Sequence, residues 1–184
     1  MNDLFLNDLF LKVDGVSNRE QALTSSINAA LQRNKVYKND ENYERREQFK
    51  AEWARLLSDE ANAYKGTEPP VSDERHCAAI ARIADSLSNT FSELLDGSRL
   101  RFGTSQKALN LYLKYLWALG EAQIPPHCPI DSVVLKRVGI GDCWTKSDSC
   151  EEYMGWINKI RKQLTLAKWE NDVWLRWKIN DAGF

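Results

Sequence analysis

Residues 106–119 are apolar around almost the whole circumference that a helix would present. A helix with apolar side chains on every face is buried, so other elements of the chain must surround this one. The polar exceptions are Lys107, Asn110 and Lys114, whose offsets of three and seven residues place them on one narrow stripe. We therefore predict a helical fold built around this segment, with a single polar stripe running along it.

The remainder of the chain also favours helices. Apolar residues recur mostly with a 3.6-residue period and β-branched runs are short, which predicts an all-α fold. Ser72, Asp131 and Ser149 are the expected N-caps of three helices, and Thr104 or Ser105 is the expected cap of the central one. The expected helices lie at about residues 17–34, 41–64, 73–95, 106–119, 132–138 and 150–169.

Composition suggests two regions. Residues 65–70 (KGTEPP) interrupt the helical pattern and are the best candidate for a hinge. We predict an acidic helical scaffold over residues 1–65 and a functional region over residues 66–184. Residues 1–96 carry a net charge of −5 and residues 97–184 carry +4, so the second half is the expected surface for any nucleic acid.

Nothing in the sequence indicates a membrane protein. Residues 1–13 lack the basic start and the apolar run of a signal peptide. No apolar stretch approaches the roughly 20 residues that span a bilayer. We expect a cytoplasmic protein with no membrane partner.

The cysteines and histidines raise the question of a metal. The four cysteines form no CxxC motif and are expected to be reduced in a chain without a signal peptide. The pairs His76-Cys77 and His127-Cys128 leave a zinc enzyme open as the weakest alternative, because adjacent residues seldom bind the same tetrahedral ion. We predict that the protein needs neither a metal nor an organic cofactor.

Lys107 and Asp131 form the pattern with the clearest chemical meaning. The prolines of residues 124–130 favour an extended chain, after which Asp131 is expected to cap a short helix through its carboxylate. Lys107 lies near the start of the apolar helix. A buried amine loses stabilisation of its charge, and the second cation, Lys114, disfavours its protonation further. Such a lysine can act as a nucleophile near neutral pH.

Two segments resemble the helix-hairpin-helix (HhH-GPD) superfamily of DNA glycosylases, particularly the 8-oxoguanine DNA glycosylase/AP lyase branches. They are residues 102–108 (FGTSQKA) and residues 128–133 (CPIDSV), and the resemblance extends over about residues 72–180. It implies a compact two-lobed helical fold, with Lys107 as the nucleophile and Asp131 as the catalytic aspartate. The family's Leu-Pro-Gly-x-Gly hairpin is replaced here by residues 95–103 (LDGSRLRFG).

The resemblance implies base excision from double-stranded DNA by a monomer. The excised base would be an 8-oxoguanine-like lesion or a hypermodified phage base, and AP-lyase strand cleavage would follow. This leaves repair and antiphage defence both open. A non-catalytic helical module that binds DNA or another protein is the alternative.

The same interpretation assigns further residues to the DNA. The expected DNA-binding residues are Arg99, Arg101, Gly103, Asn110, Lys114, Lys136 and Arg137, although Asn110 and Lys114 could merely solvate an exposed edge. An extruded base needs flat apolar walls. The candidates for its pocket are His127, Trp144, Trp174, Trp177 and Phe184.

Overall fold

The computed structural model describes residues 3–32, 34–38, 42–66, 70–141 and 143–162. Within these ranges the regular elements are helices, with one isolated β-bridge between Tyr37 and Leu95. The α-helices are α1 (Asp3–Asp14), α2 (Arg19–Leu31), α3 (Tyr43–Ala61), α4 (Asp73–Phe91), α5 (Phe102–Ala118), α6 (Ser132–Arg137) and α7 (Cys150–Ile160). Short 3₁₀-helices span Asn62–Tyr64, Asp96–Ser98 and Trp144–Lys146. The predicted all-α class is confirmed for the described residues.

Helix α5 is the centre of the fold, as the apolar pattern predicts. Every residue from Phe102 to Leu116 is buried, and α1, α2, α3 and α4 all pack against it. Leucines such as Leu109 and Leu113 have no exposed surface, and full burial of such a side chain contributes about 1.5–3 kcal/mol. The central helix is therefore the element on which the stability of the described fold most depends.

The N-caps predicted at Ser72, Asp131 and Ser149 form as expected. Ser72 accepts a hydrogen bond from the amide of Arg75, and Ser149 accepts one from the amide of Glu152. Asp131 caps α6. Each cap satisfies an amide that the first turn of a helix leaves without a partner, an effect typically of about 1 kcal/mol.

Helix α5 begins at Phe102, earlier than the predicted residue 106. Its first amides are satisfied by a distant segment, since the amide of Gly103 donates to the carbonyl of Ser147 at 2.9 Å and that of Phe102 to Asp148 Oδ1 at 2.9 Å. The prediction of Thr104 or Ser105 as the cap is wrong, because both residues lie inside the helix. The Thr104 hydroxyl accepts a bond from Asn34, and the Ser105 hydroxyl donates to the carbonyl of Ile80. The cap lies 46 residues along the chain, which no local pattern reveals.

Gly103 allows this close contact. A Cβ atom built on it would lie 1.9 Å from the carbonyl oxygen of Trp144, so no larger residue fits without a shift of backbone. The prediction that Gly103 binds DNA is therefore wrong for this structure: the residue is buried and its amide already has a partner.

Helix α1 is not expected from the sequence. It packs on the far end of α5, where the rings of Phe10 and Tyr115 stack at 5.0 Å and the Tyr115 hydroxyl donates to Asp14 at 2.8 Å. One apolar core extends from Phe10 to Ile160 and includes residues on both sides of the boundary predicted at residue 65. Helix α7 ends at Ile160, and the predicted continuation beyond residue 162 lies outside the described residues. No helix in the described ranges is long and apolar enough to cross a membrane.

Candidate functional site

Lys107 and Asp131 meet in the structure. Lys107 Nζ lies 2.6 Å from Asp131 Oδ2, across 24 residues of sequence. The other carboxylate oxygen accepts bonds from the amides of Val133 and Val134, both at 3.0 Å. Only 10% of the Lys107 side chain and 20% of the Asp131 side chain are exposed. The amine and the carboxylate are therefore in direct contact and largely buried, with a small part of each side chain exposed to solvent.

The carboxylate of Asp131 is held in its charged form. Burial raises the pKa of Asp131, but the charge and hydrogen bond of Lys107 and the two amides of α6 outweigh burial and lower the pKa below its usual value. An anion fixed in this way can stabilise a positive charge beside it or accept a proton from the neighbouring amine.

Two side chains of α5 hold the segment that leads to Asp131. Gln106 Nε2 donates to the carbonyl of Ile130 at 2.7 Å, and the amide of Ile130 donates to Gln106 Oε1 at 3.1 Å. Asn110 Nδ2 donates to the carbonyl of Cys128 at 3.1 Å. The residues before Asp131 are thus paired with side chains rather than with a strand.

Asn110 does not face DNA, contrary to the prediction. It has no exposed surface. Its Nδ2 donates to Gln106 Oε1, to the hydroxyl of Tyr153 and to the carbonyl of Cys128. Its Oδ1 accepts a bond from His76 Nε2 at 2.7 Å. The alternative of an exposed edge is equally wrong, because the polar stripe finds its partners inside the protein.

Lys114 is also buried, with no exposed surface, and its Nζ lies 4.1 Å from the centroid of the Phe10 ring. Its expected contact with DNA is therefore wrong for this structure. Burial, reinforced by the charge of Lys107, lowers the pKa of Lys114 to about 7.

The two histidines converge as well. The centroids of the His76 and His127 rings lie 4.5 Å apart. His76 forms hydrogen bonds with Tyr64 and Asn110. His127 forms hydrogen bonds with Tyr153 and Asp73. Because the Asn110 and Asp73 oxygens only accept, the Nε2 atom of each ring donates and Nδ1 accepts from a tyrosine. Burial lowers the pKa of His76 to about 3 and that of His127 to about 4, so both rings are neutral at pH 7.

This network bears on two predictions about the histidines. His127 has no exposed surface and both of its ring nitrogens are engaged, so it does not form a wall of an open base pocket. The four ring nitrogens of the pair are all in hydrogen bonds, and the described residues hold no group of three or more potential metal ligands. The zinc alternative gains no support from the described part of the chain.

The basic residues differ in their availability. Arg99 is paired with Asp85 at 3.0 Å and with Asp148 at 2.6 Å, so a phosphate would have to compete with two carboxylates. Arg101 is half-buried, whereas Lys136 and Arg137 are exposed in the last turn of α6. Because Asp131 caps the same helix, whose six residues span about 9 Å, these two cations lie at the end of α6 opposite Asp131.

The walls of a base pocket remain unassigned. Trp144 is buried with 9% of its surface exposed and packs beside the start of α5. Trp174, Trp177 and Phe184 lie outside the described residues. A cleft of about 710 Å³ opens among α1, α2 and α3, lined by residues such as Tyr37, Arg46 and Tyr115, but Lys107 and Asp131 do not line it.

Sequence reasoning missed several residues around the site. Gln106 stands beside Lys107 and four residues before Asn110, a spacing at which helical side chains touch, and this spacing is the signal that could have identified it. Asp73 and Arg161 also escaped identification, although Arg161 Nη1 donates to Asp73 Oδ2 at 2.6 Å beneath His127. The guanidinium of Arg161 is the main reason that the pKa of Asp73 lies far below its usual value.

Comparison of the chain with protein-family models, with curated proteins and with solved structures gave no match. Function must therefore be inferred from the geometry and the chemistry of the residues themselves.

Proposed function

We propose that this protein is a DNA glycosylase of the helix-hairpin-helix type, with a two-lobed fold and with AP-lyase activity. The observation that carries the proposal is the contact of Lys107 Nζ with Asp131 Oδ2 at 2.6 Å. An amine on a buried helix and a carboxylate fixed by a helix cap are the two groups that amine-dependent base excision requires. They come from the two segments that resemble the HhH-GPD enzymes.

The reaction begins with extrusion of one nucleotide from the duplex, which exposes its sugar to the amine. Lys107 gives its proton to a neighbouring acceptor such as Asp131, and the free amine attacks the sugar C1′. The bond from C1′ to the base breaks, and the base leaves with the bonding electrons and takes up a proton. Asp131 stabilises the positive charge that develops on the sugar.

Strand cleavage follows from the same covalent bond. Opening of the sugar ring converts the C1′–nitrogen bond to a protonated Schiff base, which acidifies the proton on C2′. Loss of that proton expels the 3′ phosphate by β-elimination, and water then releases Lys107 from the C1′ carbon. No oxidant or reductant enters the sequence, and borohydride traps the Schiff base by reducing it to a stable amine.

The exposed cations of α6 favour binding of duplex DNA. Lys136 and Arg137 are exposed on α6, whose N-cap is Asp131, so phosphates next to an extruded nucleotide would meet them. Such contacts displace counterions, which makes affinity fall as salt rises. The substrate class that we propose is an 8-oxoguanine-like lesion or a hypermodified cytosine.

The test is borohydride trapping on labelled duplexes that carry an abasic site, 8-oxoguanine or a sugar-decorated cytosine. We expect a covalent adduct with the parent protein on an abasic duplex and on one of the modified duplexes. Lys107→Gln should bind DNA but form no adduct. Lys159→Gln is the matched control, because Lys159 is exposed on α7 and should trap normally. Normal trapping by Lys107→Gln would exclude this lysine as the nucleophile.

A non-catalytic DNA-binding module is the second candidate. It is favoured by the closure of Lys107 and Asp131 into a largely buried ion pair, which can serve the fold alone. In that case the parent protein should bind duplexes in a salt-dependent way and yield neither free base nor adduct with any of the probes.

A further inference from the structure

We propose that Gln106 is a positioning residue that sets the distance between the Lys107 amine and the Asp131 carboxylate. The inference rests on the function proposed above and adds a residue that the reaction chemistry itself does not identify. Gln106 touches neither of the two reactive groups through its amide. It acts on the backbone of Ile130, directly before Asp131.

The side chain of Gln106 pairs with Ile130 as a neighbouring strand would. Its Nε2 donates to the carbonyl of Ile130 at 2.7 Å, and its Oε1 accepts from the amide of Ile130 at 3.1 Å. Ile130 has no exposed surface, so water cannot replace these partners. A buried peptide group without partners is costly, which makes this two-point contact a strong constraint on the backbone.

Side chains of α5 hold the backbone of residues 128–130, which lead to Asp131. The residue directly before Ile130 is Pro129, which has no amide hydrogen and so donates no backbone bond. The carbonyl of Cys128 and both polar backbone groups of Ile130 bond side chains of α5, namely those of Asn110 and Gln106. Lys107 lies on the same helix. Helix α5 therefore carries the Lys107 amine and also fixes the backbone that leads to the Asp131 carboxylate.

The orientation of the Gln106 amide is itself determined. Asn110 Nδ2 donates to Gln106 Oε1 at 3.1 Å, so the oxygen must face Asn110 and the amide of Ile130. Asn110 is in turn held by His76 and Tyr153. A flipped Gln106 would place its NH₂ group against two donors.

The side chain of Asp131 has little freedom to compensate for a shift of Ile130. Its Oδ1 is bound to the amides of Val133 and Val134, so the carboxylate moves with the backbone at the start of α6. Movement of Ile130 would consequently lengthen the contact between Lys107 Nζ and Asp131 Oδ2. A misplacement of about 1 Å at a reacting centre can cost a hundredfold in rate.

Two substitutions separate positioning from mere filling of space. Gln106→Met keeps a similar length and removes both hydrogen bonds. Gln106→Glu restores both only when its carboxyl group is protonated, because the acid donates through its hydroxyl and accepts through its carbonyl, whereas the carboxylate has no donor. Burial should raise the pKa of that introduced carboxyl, which brings the change into an accessible pH range. Leu109→Ala, a fully buried change on the same helix, is the control for lost stability.

The first readout needs no DNA. In protein labelled with ¹³C at the lysine Cε, the chemical shift of Lys107 should report its contact with Asp131, with the resonance assigned by Lys107→Gln. We expect Gln106→Met to alter that chemical shift and Leu109→Ala to leave it unchanged. Gln106→Glu should match the parent at low pH and depart from it as pH rises. If Gln106→Met does not fold, the pH dependence of the Lys107 chemical shift in Gln106→Glu decides whether Gln106 sets the contact.

The second readout is the single-turnover rate on a base that the parent excises. Gln106→Met should lower the rate roughly 10-fold to 100-fold with little change in DNA affinity, and Gln106→Glu should regain rate relative to the parent as pH falls. A parental Lys107 chemical shift in Gln106→Met, or a pH-independent rate ratio in Gln106→Glu, would overturn the proposal. If the parent excises no base, the proposed function fails, while the Lys107 chemical shift still decides whether Gln106 sets the contact.

Discussion

Lys114 makes the folding stability depend on pH in a way that one substitution should remove. Its side chain has no exposed surface, and burial together with the charge of Lys107 lowers the pKa of Lys114 from 10.5 to about 7. In the unfolded chain the amine returns to its ordinary pKa of about 10.4. Between pH 7 and pH 10 the unfolded chain therefore binds a proton that the folded protein lacks.

The size of the effect follows from that difference. Where the unfolded state binds more protons, stability rises with pH, by up to about 1.4 kcal/mol per pH unit for one group. Lys114 therefore contributes full stability above its unfolded pKa, and about 4 kcal/mol of this is lost as pH falls from 10 to 7. Lys114→Met fills a similar volume without a charge, so its stability should not carry this dependence.

The assay is urea unfolding of the parent and of Lys114→Met at pH 7, 8, 9 and 10. The free energy of unfolding of the variant, relative to the parent, should rise by about 4 kcal/mol from pH 10 to pH 7. Lys159→Met, at an exposed position of α7, should run parallel to the parent. A difference between Lys114→Met and the parent that stays constant across this range would refute the reasoning.

Three other predictions concern the site and its supports. Asp131→Asn keeps an oxygen that can cap α6 but leaves the largely buried Lys107 amine without its counterion, so its melting temperature should fall below that of the parent. At a temperature where the variant is folded, loss of the negative charge should lower the rate of base release roughly a hundredfold or more; parental turnover would contradict the role of the charge. Gly103→Ala places a Cβ 1.9 Å from a carbonyl oxygen and should cost about 1–3 kcal/mol in urea unfolding, whereas Gly155→Ala, which meets nothing within 4 Å, should be neutral or stabilising. Replacing Lys136 and Arg137 together by alanine should reduce the slope of log affinity against log salt by about 0.9 for each phosphate that these cations neutralise, and an unchanged slope would place the DNA elsewhere.

The features that could be predicted from the sequence depend on neighbours along the chain. The apolar circumference of residues 106–119 identifies the central helix, because burial of such a segment does not depend on which elements cover it. The caps Ser72 and Ser149 each use an amide three residues ahead. Asp131 is also a local cap, because its carboxylate accepts from the amides of Val133 and Val134. This is why the predicted cap of α6 appears in the structure.

The features that could not be predicted depend on distant partners. The start of α5 is capped by Asp148, and the polar stripe is satisfied by residues from other helices. A sequence shows a polar residue but not the group that will pair with it, which is why Asn110 and Lys114 are wrongly expected at a surface. The pairing of Gln106 with Ile130 is of the same kind.

The concentration of so many roles in α5 limits how this protein can diversify. The helix is buried from Phe102 to Leu116, and it also bears Lys107 and the side chains that hold the approach to Asp131. A substitution there that alters reactivity also disturbs the packing of four other helices. Under the proposed function, new substrate preferences would therefore arise more readily through the exposed residues of α6, which can vary while the buried residues of α5 stay constant.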